Sequence, residues 1–297
     1  MIMRPVLLVD TYSLFFRAYY ALPPMVTSKG QPTSALYGFS SLLLKLLKEH
    51  HPATVAFAVD APDKTFRHAL YSDYKGQRAS APSALAAQMG PLRDLLDRLG
   101  VPVFRAPGFE ADDVLATLAR RLRETETQSL VVSGDRDLLQ LAHGSVRVLF
   151  VGARGQEAVL YDEAAVHGRF QVSPQQLLSW IALVGDPSDN LPGVAGVGPR
   201  TASNLVQRFG DIPALLRRLD EVTPEKLRAS LQAAASQLEL NERLARLRDD
   251  VTLPDGPLAS PVTTPALEKV GAFFGELEFR SLLPRLGPLR SLFSQAT

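Results

Sequence analysis

Five short, almost uninterrupted apolar runs constrain the fold of this chain more than any other feature. They are PVLLVD (5–10), TVAFAVD (54–60), VPVF (101–104), SLVVSGD (129–135) and VRVLFV (146–151). Amphipathic stretches separate them: SALYGFSSLLLKLLKEH (34–50), SALAAQMGPLRDLLDRLG (83–100) and EADDVLATLARRLRE (110–124). A strand with one face in water alternates apolar and polar residues, whereas a strand apolar throughout must be covered on both sides. Apolar strands alternating with helices predict an α/β fold with a mostly parallel sheet flanked by helices.

From about residue 174 the strand signal stops. PQQLLSWIALVG (174–185) reads as a helix, and LPGVAGVGPRTASNLVQRFG (191–210) as a glycine-punctuated turn leading into another. Helical patterns continue through IPALLRRL, PEKLRASLQAAASQLELNERLARL and ALEKVGAFFGELEFRSLLPRL. The segment 249–265, rich in proline and polar residues, reads as an extended connection to a final helical hairpin. The expected organisation is an α/β domain over 1–173 and a helical domain over 174–297, with the boundary at the change of pattern. The start, MIMRPVLLVD, turns acidic too early for a signal peptide. No apolar run reaches the roughly 20 residues of a membrane span. A cytoplasmic protein without a membrane partner is expected.

The acids are placed unusually on this scaffold. Asp10, Asp60 and Asp135 each stand at or just past the end of an apolar strand, and in open α/β sheets the ligand crevice lies outside those ends. Glu110, Asp112 and Asp113 open a helix after the VPVFRAPGF loop, Asp137 follows Asp135, and Asp186 and Asp189 close the apolar run IALVGDPSDN. A carboxylate at a helix start is commonly a cap, and taken singly Asp112, Asp137 and Asp189 read that way. Nine acids on one edge are different, because their repulsion and desolvation demand cations. The chain has no cysteine, so hard oxygen donors point to Mg²⁺ or Mn²⁺ rather than zinc. His50, His51, His68, His143 and His167 have no metal-ligand spacing and read as surface or structural residues. A carboxylate-rich site with two metals about 4 Å apart suits phosphodiester hydrolysis without a covalent protein nucleophile.

The net charge of +1 argues little for nucleic acid until the nine acids are set aside. The remaining 22 acidic residues then face 32 Lys and Arg, an excess sufficient for a polyanion surface. TFRHALYSDYKGQR (65–78) supplies Arg67, Lys75 and Arg78 with Tyr71 and Tyr74 interleaved, a pattern for phosphate contact and base stacking or for a solvated amphipathic segment. Arg17, in the hydrophobic LFFRAYYAL, needs an anion, either a structural acid or a phosphate. GVAGVGPRTA places Gly193, Gly196 and Gly198 ahead of a helix, where backbone N–H groups can approach a phosphate.

As a set these stretches resemble the 5′-nuclease (flap endonuclease) family, above all the N-terminal 5′→3′ exonuclease domain of bacterial DNA polymerase I. LLVD, FRAYYALPP, ALYGF, FAVDAPDKTFRHALYSDYKGQR, GFEADDVLATLA, SGDRDLLQL and LVGDPSDNLPGVAGVGPRTA follow the family order over roughly 5–210, and ELEFRSLLPRLG resembles the end of that domain. The resemblance implies a PIN-like core, a helical arch that passes a 5′ single strand, and a helix–hairpin–helix-type DNA-binding element. It implies that Asp10, Asp60, Glu110, Asp112 and Asp113 serve one metal group and Asp135, Asp137, Asp186 and Asp189 the other, some through water. Two or more Mg²⁺ are implied, with Mn²⁺ as substitute, and a K⁺ ion at the glycine turn. Lys75 and Arg78 match arch cations that position the scissile phosphate, and Arg17 and Arg67 match basic residues of the substrate path; Lys75, Arg78 and Arg17 are the catalytic candidates. Arg67, Tyr74, Gly193, Gly196, Gly198 and Arg200 fall in the DNA-binding set.

The resemblance implies a structure-specific nuclease of replication and repair, acting as a bacterial, nucleoid-associated monomer. Its substrates would be DNA with a 5′ flap or a 5′ end at a duplex junction, and RNA primer–DNA hybrids. A DNA polymerase is the expected protein partner. Three departures stand out: Thr11 replaces a common glycine, KGQRASAP lacks a double proline, and Pro199 and Arg200 replace Glu and Lys. The competing readings are a catalytically weak junction-binding module and a PIN-type ribonuclease. The complete carboxylate set opposes the first, and the arch-like segment with the glycine turn opposes the second.

Overall fold

The computed structural model describes residues 4–152 and 156–294. The outermost residues of the two expected domains, 1–3 and 295–297, lie outside the described residues. All five apolar runs form strands: β1 (Val6–Asp10), β2 (Thr54–Ala58), β3 (Val103–Phe104), β4 (Ser129–Ser133) and β5 (Val146–Phe150). A sixth strand, β6 (Val159–Tyr161), joins them. The sheet order is β3-β2-β1-β4-β5-β6, parallel except for antiparallel β6. The chain builds outward from β1 to β3 on one side and then crosses to β4 on the other. The carboxyl ends of β1 and β4 therefore meet at the point where the direction of build reverses, the position of ligand crevices in such sheets.

Along the fully buried strands, alternate residues enter different cores. On one face, Leu8, Ala56, Ala58 and Val131 pack with Val114, Leu115 and Leu118. On the other, Leu7, Val9, Phe57 and Val132 pack with Phe15, Phe39 and Leu95. The helices of the first half are α1 (Thr11–Ala21), α2 (Ser34–His50), α3 (Phe66–Leu70), α4 (Ser83–Ala86), α5 (Met89–Leu99), α6 (Ala111–Glu124) and α7 (Glu163–Phe170). α6 begins with Asp112 and Asp113 and ends with Arg121 and Arg123, charges that complement its dipole at both ends.

The second half holds α8 (Leu177–Val184), α9 (Pro199–Phe209), α10 (Ile212–Arg217), α11 (Glu225–Ala233) and α12 (Ala235–Ala245). Their apolar faces, including Ile181, Leu205, Ile212 and Leu238, continue the α6 core. The connection after α12 runs extended, and Ser260 exchanges two backbone hydrogen bonds with Val55 at the edge of β2. α13 (Thr264–Glu276) and α14 (Leu283–Ser294) then return to the opposite face, where Val270, Phe274 and Leu289 join the core of α2 and α5. Both cores cross residues 173–174, so the change of pattern there marks a change of secondary structure within continuous packing.

Two elements differ from the periodicity. The helix expected over 83–100 is two helices, α4 and α5. At the break, fully buried Gln88 accepts a hydrogen bond from Leu36 N (3.1 Å) and donates one to Ala84 O (2.8 Å). It thereby satisfies an N–H in the first turn of α2, whose own Thr33 makes no side-chain cap. β6 is not among the expected strands: its apolar run AVLY (158–161) is short, and Val159 and Leu160 are exposed at the sheet edge. Among the described residues no helix is long and apolar enough to cross a membrane.

Candidate active site

Five acids from five segments meet at the reversal point. Asp10 ends β1 and caps α1, accepting from Ser13 N (3.4 Å) and from the Ser133 hydroxyl at the end of β4. Asp60, two residues past β2, accepts from Ala111 N (2.9 Å) at the start of α6. Asp112 lies in the first turn of α6. Asp135, just past β4, accepts from Asp137 N (2.9 Å). Asp186 caps a short 3₁₀ turn through Ser188 N (2.7 Å), and its backbone pairs with Leu191. With Arg17, Lys75, Arg78, Tyr12, Phe16 and Arg136, these acids line a cavity of about 400 Å³.

The other four predicted acids lie behind this wall. Asp113 is fully buried and holds Arg67 through two hydrogen bonds of 2.7 and 2.8 Å. It also accepts from Glu110 N (3.1 Å) and Arg248 N (2.9 Å). Arg67, 2% exposed, uses its remaining donors on Leu244 O (2.7 Å) and Arg246 O (3.0 Å). This corrects two expectations. Asp113 has its oxygens committed to protein donors and does not face the cavity, and Arg67 is an internal tie between α3, α6 and the end of α12 rather than a DNA contact.

Tyr74 is a third correction. It is 2% exposed, and its hydroxyl lies 3.1 Å from Glu110 Oε2 and 2.8 Å from Asp189 Oδ2. A ring so enclosed cannot stack on a base. It serves instead as a hydrogen-bond donor between two carboxylates. Lys75 Nζ is 2.8 Å from Glu110 Oε1, and Arg78 is 2.8 Å from Asp189 Oδ1. Lys75 adopts φ +55°, a left-handed backbone that non-glycine residues occupy at a cost of about 1–3 kcal/mol. It is held there by Lys75 N donating to Asp189 O (3.2 Å) and by the turn that Gly76 closes onto Asp73 O (2.9 Å). The fourth of these acids, Asp137, is buried with an unpartnered Oδ1 and lines a second cavity shared with Asp186.

Among the described residues, Asp10, Asp60, Asp112, Asp135, Asp137 and Asp186 have no ion-pair partner. Burial pushes the Asp10 carboxyl up to about 7, against the lowering hydrogen bond from Ser133, and repulsion from Asp60 and Asp135 adds to the rise. Burial likewise raises Asp60, and Asp112 and Asp137 rise well above the usual carboxylate range through burial and then the charge of Asp135. Asp135 is raised by burial, opposed by the Asp137 N–H. Among the described residues no three acids or histidines already form a closed cage for one ion. The chemistry of the wall nevertheless fits hard divalent cations: uncompensated carboxylate oxygens, a buried orphan oxygen at Asp137, and no sulfur donor.

Arg17 donates to Gly134 O (2.6 Å), leaves its Nε unpartnered, and has no acid partner among the described residues. The sequence left a structural acid and a phosphate open as its anion, and the described residues supply no structural acid. Tyr12, Ser13, Phe16, Ser133 and Arg136 escaped the sequence reading. Tyr12 and Phe16 could have been found, because α1 starts on Asp10 and residues spaced by four share a helix face. Their rings stack with centroids 6.0 Å apart. Burial and Asp60 raise the Tyr12 hydroxyl, while the charges of Arg93 and Arg105 oppose them.

The glycine turn divides by function. A Cβ at Gly193 would fall 2.1 Å from Val184 O, so this glycine permits close packing on the end of α8. Gly196 (φ +83°) and Gly198 face open space, and Gly198 precedes the free N–H groups of α9. Arg200 is exposed in the first turn of α9.

Comparison with known proteins finds two matched segments. Residues 5–171 match the model of the 5′-3′ exonuclease N-terminal resolvase-like domain, and residues 172–266 that of the 5′-3′ exonuclease C-terminal SAM fold. A 5′-3′ exonuclease of Aquifex aeolicus is 36% identical over 295 residues, covering 99% of this chain and 98% of that one. The thermostable DNA polymerase I of Thermus filiformis is 41% identical over 286 residues, covering 96% of this chain and 34% of that one. The chain thus spans about a third of the polymerase relatives it matches. The T5 D15 protein co-crystallised with metal ions superposes with TM-score 0.67 at 21% identity, covering 99% and 100% of the two chains. The catalytic core of Rad2 in complex with DNA substrate superposes with TM-score 0.62 at 18% identity, covering 97% and 92%. At these identities the structural likeness is one of fold.

Proposed function

The chain belongs to the 5′-3′ exonuclease family, and from that premise we propose that it hydrolyses DNA phosphodiester bonds near junctions of single strand and duplex, at 5′ flaps and 5′ ends. The carrying observation is the cavity at the sheet's reversal point, where five carboxylates without ion-pair partners among the described residues share a lining with Lys75, Arg78 and Arg17. A solved relative of this fold is a flap endonuclease in a pseudo-enzyme-product complex with DNA and metal ions. RNA primer–DNA hybrids present the same 5′-ended geometry and belong to the same substrate class. The polymerase I relatives support a DNA polymerase as functional partner in replication and repair. The cell is bacterial, the site of action its nucleoid, and the working form a monomer.

Asp10, Asp60, Asp112, Asp135 and Asp186 would hold the divalent cations, Mg²⁺ with Mn²⁺ as substitute, with Glu110, Asp137 and Asp189 acting from behind through water. Such ions, when bound, supply an acidified water and neutralise charge on the phosphate and the leaving oxygen. The protein's own part is positioning. Ser133 and the Ser13 N–H orient Asp10, and the Ala111 N–H orients Asp60. Lys75 and Arg78 border the cavity paired with Glu110 and Asp189, so an entering phosphate competes for cations already in place. Arg17 has donors to spare for a phosphate oxygen. The open turn at Gly196 and Gly198, with Arg200, is placed to follow the duplex backbone, and its carbonyls are the proposed K⁺ site.

The test is cleavage of a 5′-end-labelled flap by the wild type and by Asp186→Asn, with Mg²⁺ and with EDTA. Junction cleavage that requires metal and falls by roughly 10²-fold in the variant is expected, as for loss of a group that supports a metal. Binding of the flap without cleavage in Mg²⁺ or Mn²⁺ would replace this reading with a junction-binding module, and preferential cutting of free RNA would replace it with a ribonuclease.

A further inference from the structure

Tyr12 lines two cavities. One is the acid cavity, and the other is a recess of about 50 Å³ bounded by Val59, Met89, Leu92, Arg93 and Arg105. Arg93 comes from α5 and Arg105 from the loop after β3, so two separate elements bring arginines to the recess that Tyr12 lines. Both arginines are exposed. Among the described residues neither makes an ion pair or a side-chain hydrogen bond. Arg93 has Asp97 four positions along α5, the spacing of a helical ion pair, yet no such pair forms. Elsewhere on the surface arginines do find acids: Arg120 pairs with Glu124, Arg218 with Glu221 and Arg248 with Asp250.

The acid cavity repels a polyanion, and two of the cations on its wall, Lys75 and Arg78, are already engaged with carboxylates. A nucleic-acid strand entering it needs uncommitted positive charge on its route. The recess beside Tyr12 offers that charge, and its volume is that of one or two waters, enough for phosphate oxygens and too small for a base. We propose that Arg93 and Arg105, which line this recess with Tyr12, grip a non-scissile backbone phosphate of the single strand that reaches the acid cavity. They are positioning residues. This rests on the nuclease reading above and adds to it a route on the β3 side of the site.

The experiment compares the wild type with Arg93→Gln/Arg105→Gln and Arg93→Lys/Arg105→Lys. The substrates are a duplex carrying a 20-nucleotide 5′ flap and the same duplex with a nick and no flap. Steady-state cleavage in Mg²⁺ is measured alongside flap binding in EDTA over a salt series. The Gln pair should raise KM for the flap by about tenfold with kcat nearly unchanged, and leave the nicked duplex within about twofold. It should also reduce the log–log salt slope of flap binding by about one, and the Lys pair should recover most of both effects. An unchanged flap KM and salt slope, an equal loss on both substrates, or no recovery with Lys would overturn the proposal. Failure of the wild type to cut either substrate would overturn the nuclease reading instead, and the binding series would still decide whether these arginines hold a single strand.

Discussion

Asp112 and Asp113 are neighbours in EADDV and open the same helix, yet they belong to opposite sides of the site. Asp112 looks into the cavity with no ion-pair partner among the described residues, and burial with the charge of Asp135 holds its carboxyl well above the usual range. Asp113 points inward, fully buried, against the Arg67 guanidinium and two backbone N–H groups. A helix turns about 100° per residue, so consecutive acids face different neighbours. The front acids carry uncompensated charge that a cation would relieve. The rear acid is compensated already and ties α6 to α3 and to the segment after α12. Charge kept open at a cost to stability and charge closed in its favour stand one residue apart.

The largest effect that separates the two is expected at the rear. Arg67→Met leaves Asp113 buried without its partner and should destabilise the protein by about 3–5 kcal/mol, read as a lower urea midpoint. If Asp113→Asn alone is as mild as a surface change, the rear side is no tie. At the front, Asp112→Asn should lower metal-dependent cleavage by roughly 10²-fold while leaving the metal-free protein as stable as the wild type or more so. A large loss of stability there would erase the distinction.

The front also predicts a pH dependence. The Asp10 carboxyl is raised from 3.8 to about 7 in the fold, so between those values the folded protein binds a proton that the unfolded chain has released. Stability of the metal-free protein should therefore fall as pH rises from about 4 to 7, and the raised Asp112, Asp135 and Asp137 act in the same direction. Urea melts in EDTA at pH 5 and pH 8 check this, with Asp10→Asn expected to flatten the trend. The smallest effect is expected at Tyr74→Phe. It removes one donor from between Glu110 and Asp189 and should cost about 1–3 kcal/mol. A neutral result would mean that Lys75 and Arg78 hold those carboxylates unaided.

Much of this was legible before any coordinates. Five apolar runs sufficed for the sheet, because a strand covered on both faces writes its burial into every residue. The gathering of Asp10, Asp60 and Asp135 followed from their places at strand ends, since parallel strands deliver their carboxyl ends to one edge. β6 was missed because its apolar run is short and two of its three residues face water, and the break at Gln88 because its side chain serves the N-terminus of a helix about fifty residues earlier.

Arg67, Tyr74 and Asp113 mark the limit. In sequence they read as cation, aromatic and acid beside a site, which is also what a substrate contact looks like. Residues 244–248 pack over them and supply two carbonyls and an N–H, and no local pattern announces that cover. Local spacing carries the period of an element and the chemistry at its ends, and so the sequence by itself determined the strands, the edge where acids collect and the family. Which acids stay open and which are closed depends on chain brought in from far along the sequence, because burial and partnership are properties of packing, and only the tertiary structure decided them.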